Sequence, residues 1–104
     1  MKKNKYHILY TPLSKSDLTD IFDYIFEDNF DAAINLLDRI EKGISNLSFF
    51  PFSGVVPRDS RLNLKGYRLL IIDRYTVFYK IDDVNKEVVI HRILSTYRDY
   101  DSLN

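Results

Sequence analysis

The chain has 104 residues, 45% of them hydrophobic and 14% aromatic: enough apolar matter for one buried core, and too little length for two domains. Its 15 basic and 15 acidic residues cancel, which argues against a dedicated nucleic-acid binder, whose affinity rests on a positive excess, and the apolar content argues against intrinsic disorder. There is no cysteine, hence no disulfide framework or thiolate site, and no His/Asp/Glu cluster has metal-ligand spacing, so neither a metal nor another cofactor is expected.

The amino end, MKKNKYHILYTP, starts basic, but its apolar patch runs only from Ile8 to Tyr10, too short for a signal peptide. No later run approaches the roughly 20 apolar residues of a membrane helix, so a cytoplasmic protein is the expectation. Residues 6–11 (YHILYT) form a β-compatible run that Pro12 ends, because proline cannot donate to a ladder. Ser14 fits a helix N-cap with Asp17 three residues on, and Leu18, Ile21, Phe22 and Ile25 follow on one helical face, predicting a helix from Lys15 to Glu27. Asp17, Asp20 and Asp23 lie largely off that face and read as a solvated surface. Asn29 or Asp31 caps a second helix, along which Ala33, Leu36, Leu37, Ile40, Ile44 and Leu47 repeat at three- and four-residue spacing. Gly43 inside it costs up to about 1 kcal/mol of helix propensity and marks a close approach to a neighbouring element. The two amphipathic helices make an antiparallel hairpin.

Phe49-Phe50-Pro51-Phe52-Ser53-Gly54 ends the second helix, and Pro57 to Asn63 reads as a loop. Three strands follow, Tyr67–Ile72, Arg74–Ile81 and Glu87–Leu94, antiparallel by adjacency, with turns at Asp73-Arg74 and Asp82–Lys86. Strict alternation groups Tyr75, Val77, Tyr79 and Ile81 against Thr76, Phe78 and Lys80. In the last strand it groups Val88, Ile90, Arg92 and Leu94 against Val89, His91 and Ile93. Both faces are substantially apolar and a helical hairpin covers one, so the other is expected to be closed by the tail or to serve as a binding groove.

Charge supports a partner on the strand side. Residues 1–57 hold 6 Lys/Arg and 8 Asp/Glu, residues 58–98 hold 9 and 5, and the tail adds Asp99 and Asp101. Arg68, Arg74, Arg92 and Arg98 are the candidates to meet an acidic partner, against the plainer reading of a solvated or salt-bridged strand surface. Tyr97 and Tyr100 pack the tail or stack on a base. His91, sharing a face with Val89 and Ile93, reads as a core or groove histidine before it reads as a catalyst, and His7 as structural.

The order strand, helix, helix, three strands resembles the RelE/ParE superfamily of bacterial type II toxins. Its marks here are AAINLLDRIEKGISNL on the second helix, PFSG (Pro51 to Gly54), Gly66-Tyr67-Arg68 opening the sheet, the strand RYTVFYKID and the ending VVIHRILSTYRD. The resemblance implies an α+β domain over residues 1–104, β-α-α-β-β-β, with the helical hairpin on one face of a mainly antiparallel sheet. It also implies a growth-inhibiting toxin neutralised by a cognate antitoxin whose C-terminal segment folds into a groove on the sheet. Two targets follow from it. The RelE-like branch cuts mRNA on the ribosome with basic side chains and a proton donor; projected here, Arg68 and Arg98 hold two of its positive positions, but Leu70 and Thr76 stand at two others, with His91, Tyr97 or Tyr100 as proton donors, none of them on the position the family pattern gives. The ParE-like branch inhibits DNA gyrase by surface contact without that set, and the longer hairpin and PFSG link favour it. Family members often end in H-x-R-R-D, where this chain has Ser95-Thr96-Tyr97-Arg98-Asp99, so that histidine's role has no counterpart. A gyrase-directed toxin is the first reading, a ribosome-dependent endonuclease the second, and an inert member that only binds its partner the third.

Overall fold

The computed structural model describes residues 5–96. Strand β1 (His7–Tyr10) leads into helix α1 (Pro12–Asp28) and helix α2 (Phe30–Asn46); a 3-10 turn (Pro51–Ser53) and a short helix α3 (Ser60–Leu64) precede strands β2 (Arg68–Ile72), β3 (Tyr75–Asp82) and β4 (Glu87–Ser95). The sheet order is β1-β4-β3-β2: β2, β3 and β4 are antiparallel neighbours as adjacency predicts, and β1 pairs in parallel with β4. The α+β architecture expected from the resemblance is the one observed.

Local chemistry explains the helix ends. Thr11, not Ser14, is the N-cap of α1: its hydroxyl accepts from the Ser14 amide at 3.1 Å and donates to the His91 carbonyl at 3.1 Å. Pro12 then occupies the first turn of α1, where its missing N–H leaves no partner wanting. Proline thus ends the strand and starts the helix, so α1 begins three residues before the Lys15 start read from periodicity, and Ser14 is buried instead of capping. Asn29 caps α2, its side chain accepting from the Ala32 amide at 3.0 Å.

The main core lies between the hairpin and the sheet. Leu36, Ile40, Ile44 and Leu47 of α2 pack on Val77, Tyr79, Val88, Ile90 and Ile93, with Leu18, Ile21 and Ile25 of α1 against the same cluster. At Gly43 a Cβ would lie 2.7 Å from Ile72 Cδ1, the movable end of a side chain, so α2 packs close against β2, as the glycine inside the helix suggested.

The other face of the sheet departs from the expectation of an open groove. Leu62, Tyr67, Phe78 and Leu94 form a second buried cluster with Leu69 beside it. Its lid is α3, which Asp59 caps by accepting from the Arg61 amide at 2.8 Å, in the segment read as a loop. Five residues are too few for a periodic signal.

A β-bulge corrects the alternation in β4. Phe78 pairs with Arg92 but Tyr79 with Ile90, leaving His91 as the extra residue. Beyond the bulge the parity flips, so Ile93 joins Val88 and Ile90 in the main core while Leu94 turns to the second cluster. Removing the α1 cap should be felt without unfolding the chain: Thr11→Ala is expected to lower stability by about 1 kcal/mol, read as a lower urea midpoint at unchanged slope.

Candidate functional site

β1 ends where it pairs Tyr10 with Ile90, so among the described residues the outer edge of β4 from His91 to Ser95 has no neighbouring strand. Thr11 takes the first unpaired groups through the Ile90 and His91 carbonyls. One turn into α1, Asp17 takes the next: its Oδ2 accepts from the Ile93 amide at 3.0 Å and from Arg92 Nε at 2.7 Å, and its Oδ1 from Arg92 NH2 at 2.9 Å. The side chains of Arg92 and Asp17 are only 15% and 10% exposed. A buried bidentate pair of this kind is firm because each charge would be stranded without the other. Asp17 is therefore no part of a solvated face, and Arg92 is not free to meet an acidic partner. The signal in the sequence was there: Asp17 follows Ser14 by three and precedes Ile21 by four, in line with the buried side of α1.

Arg68 is committed too. Its NH2 donates to the Phe52 carbonyl at 3.0 Å and the Gly54 carbonyl at 3.1 Å, and its guanidinium lies over the Phe52 ring. Beside it the Tyr79 hydroxyl donates to the Pro51 carbonyl at 2.8 Å and accepts from the Gly54 amide at 3.0 Å. A Cβ on Gly54 would sit 2.3 Å from that hydroxyl oxygen and 2.8 Å from the Leu69 carbonyl, so only glycine fits. The PFSG motif is thus the loop that Arg68 and Tyr79 clamp against β2, where Val55 and Leu69 exchange both backbone hydrogen bonds. Burial holds the Tyr79 phenol above its ordinary pKa, so it remains a donor.

The bulge aims His91 at the edge of the Tyr67 ring, 5.5 Å between centroids, while Lys80 Nζ stands 4.6 Å over the same ring. Partial burial, and then the Lys80 charge, push the His91 pKa below 6.5. His91 is a neutral imidazole at pH 7, half-buried against the ring over which Lys80 also stands. Of the other predicted positions, Arg74 is exposed at the β2–β3 turn and makes no ion pair with a described residue, Leu70 is half-buried beside the main core, and Thr76 is buried. Tyr97, Arg98 and Tyr100 lie outside the described residues. Arg68, Arg74, Arg92 and His91 do not converge: Arg68 serves the PFSG loop, Arg92 the β4 edge, and Arg74 the far turn.

An opening does exist, but it lies between the hairpin and one end of the sheet. Asp17, Asp20, Ile21, Tyr24, Tyr75 and Ile93 line much of a hollow of ≈ 410 Å³. A second hollow of ≈ 510 Å³, bounded by Ile25, Leu36, Arg39, Asp73, Arg74 and Tyr75, adjoins it across Tyr75. Arg39 bridges to Asp73 across its mouth at 2.5 Å. The wedge has an apolar floor, an acidic end at Asp20 and a cationic end at Arg74, which suits an extended or helical segment better than a small substrate.

Comparison with known proteins agrees with this architecture. The family model for the ParE toxin of the type II toxin–antitoxin system parDE matches residues 8–100, so the chain belongs to the ParE toxin family. A search of curated proteins gives no match. Among solved structures the fold is similar to that in the chromosomal ParDE toxin–antitoxin system from P. aeruginosa: TM-score 0.72 and 18% identity, over 89% of this chain and 98% of that one. It is also similar to a chain of the toxin–antitoxin complex RelBE2 from Mycobacterium tuberculosis: TM-score 0.62 and 26% identity, over 90% of this chain and 94% of that one.

Two consequences are measurable. Asp17→Ala strands the Arg92 charge and the Ile93 amide, and is expected to lower stability by about 3–5 kcal/mol in chemical denaturation, with Asp17→Ala/Arg92→Leu recovering part of the loss. For His91 the sign follows from its lowered pKa: the unfolded chain binds the proton more readily, so stability falls as pH drops through 6.5. Melting curves across that range should show a shallower decline in His91→Asn than in the parent.

Proposed function

We propose that this ParE-family protein arrests growth by binding DNA gyrase through its surface, and that a cognate antitoxin neutralises it by seating a C-terminal segment in the wedge beside Tyr75. The observation that carries the first half is the fate of the cations. In-line cleavage of RNA needs positive side chains gathered on one phosphate together with a proton donor. Here Arg68 and Arg92 are held by loop carbonyls and by Asp17, and Leu70 and Thr76 stand where two further cations are expected. A toxin that works by contact has no need of such a cluster.

The wedge supports the second half. Its apolar floor accepts side chains of a folding segment, and exposed Arg74 at one end suits an acidic one. Similarity to chains from the ParDE and RelBE2 toxin–antitoxin systems favours a protein partner of this kind.

One observation favours the endonuclease as a second reading: His91 and Lys80 both stand against the Tyr67 ring, and burial with the Lys80 charge lowers the His91 pKa, so a base and a cation share one aromatic platform. The two are separated by incubating purified protein with gyrase and supercoiled plasmid and trapping cleavage complexes with detergent. Linear DNA should accumulate with added protein and disappear when antitoxin is included. Gyrase that turns over normally at large molar excess of the protein sinks the gyrase reading. Codon-phased mRNA cuts in arrested cells, lost in His91→Ala, would establish the other.

A further inference from the structure

The outer side of the α1–α2 hairpin carries an apolar stripe that neither core cluster absorbs. Phe22 and Phe26 rings lie 5.5 Å apart, and Phe26 meets Phe30 edge-on at 5.2 Å, so one aromatic ladder crosses from α1 into α2. Ile34, one turn past Phe30, prolongs it, and Leu18, Thr19, Phe22 and Leu37 line a hollow of ≈ 220 Å³ between the two helices. Phe26 is 45%, Phe30 54% and Ile34 42% exposed, so the chain keeps large apolar side chains in water along a continuous trough. Phe22 belongs to this trough as much as to the helical face on which periodicity put it.

Carboxylates edge the trough on both sides. At 100° per residue, Asp23 and Glu27 flank Phe22 and Phe26 on α1 and Asp31 and Asp38 flank Phe30 and Ile34 on α2, while Glu41 of α2 and Lys15 of α1 lie in line with the stripe; all six are exposed, and carboxylates outnumber the cation five to one. Lys42, paired with Asp38 at 3.1 Å, offsets one of them. This arrangement discriminates between occupants. A second copy related by two-fold symmetry would set acidic rim against acidic rim. An anionic lipid surface would meet the same repulsion. The complementary occupant is an amphipathic helix with a leucine-like ridge and lysine or arginine along both flanks. From Leu18 to Phe30 the trough runs about 18 Å, the length of roughly 12 helical residues.

We infer that the hairpin trough is a docking site for a basic amphipathic helix of a partner protein. It lies apart from the wedge at Tyr75 and from the His91–Lys80 pair, and it stands whether gyrase or mRNA is the target. The probe is a fluorescein-labelled Leu–Lys peptide patterned as an amphipathic helix, titrated with the full chain and followed by anisotropy; a Leu–Glu peptide of the same pattern is the control. The Leu–Lys peptide should bind saturably and weaken several-fold as salt rises from about 0.05 M to about 0.5 M. Phe26→Ser/Phe30→Ser, which leaves both rims in place, should weaken binding by about tenfold or more. Asp23→Asn/Glu27→Gln/Asp38→Asn should retain weaker binding with little salt dependence. All these positions are exposed, and unchanged circular dichroism and melting verify the fold. Equal affinity for the Leu–Glu peptide, no saturable binding, or undiminished binding by Phe26→Ser/Phe30→Ser would each overturn the inference, the last by reducing the contact to unspecific charge attraction.

Discussion

A sheet edge that loses its neighbour halfway along must find other partners for its backbone, and in this protein that need falls on Asp17. β1 is four residues long and β4 is nine, so among the described residues strand pairing covers the outer edge of β4 only as far as Ile90. Unpaired amides beside a core are costly. Thr11 and Asp17 answer them from the start of α1, the first through carbonyls and the second through the Ile93 amide. Because the carboxylate is buried, it also requires a cation, and Arg92 supplies it from the same strand. One side chain thus fixes how α1 approaches the sheet, and with it the width of the wedge between the hairpin and Tyr75.

The PFSG loop poses the same problem at the opposite edge. β2 is an edge strand, and a loop rich in exposed phenylalanine runs beside it. Val55 pairs with Leu69, Tyr79 and Arg68 hold the loop carbonyls, and Gly54 allows the approach. A β-edge tied down in this way is poorly available for association with other chains. The arginines that look most like functional cations in the sequence are consequently the ones that close the two edges. The functions proposed for the chain therefore rest on surfaces: the wedge with Arg74 and Tyr75, and the acid-rimmed trough of the hairpin.

Those two surfaces differ in charge. The wedge is mixed, acidic at Asp20 and cationic at Arg74, where an acidic segment is proposed to seat; the trough is rimmed mainly by carboxylates and suits a basic one. The chain's zero net charge hides this division, because the helical half is acidic and the strand half basic.

Much of the fold was legible along the chain. Helical periodicity marks α1 and α2, alternation and turn residues mark β2, β3 and β4, and Gly43 announces the contact with Ile72, because each of these is a local property of backbone geometry repeated over several residues. The order of elements and the quoted motifs carried the family resemblance. What the sequence left open depends on contacts between residues far apart. Nothing local says that β1 lies parallel to β4, or that Asp17 meets Arg92 seventy-five positions later. The bulge at His91 is a mismatch between two strands, visible only once their register is set, and a single extra residue there reversed the faces assigned to Ile93 and Leu94. The hairpin trough likewise exists only when Phe26 and Phe30 come together across a turn. Periodicity reports which way a side chain points on its own element; whether it arrives in a core, an ion pair or water is decided by what packs opposite.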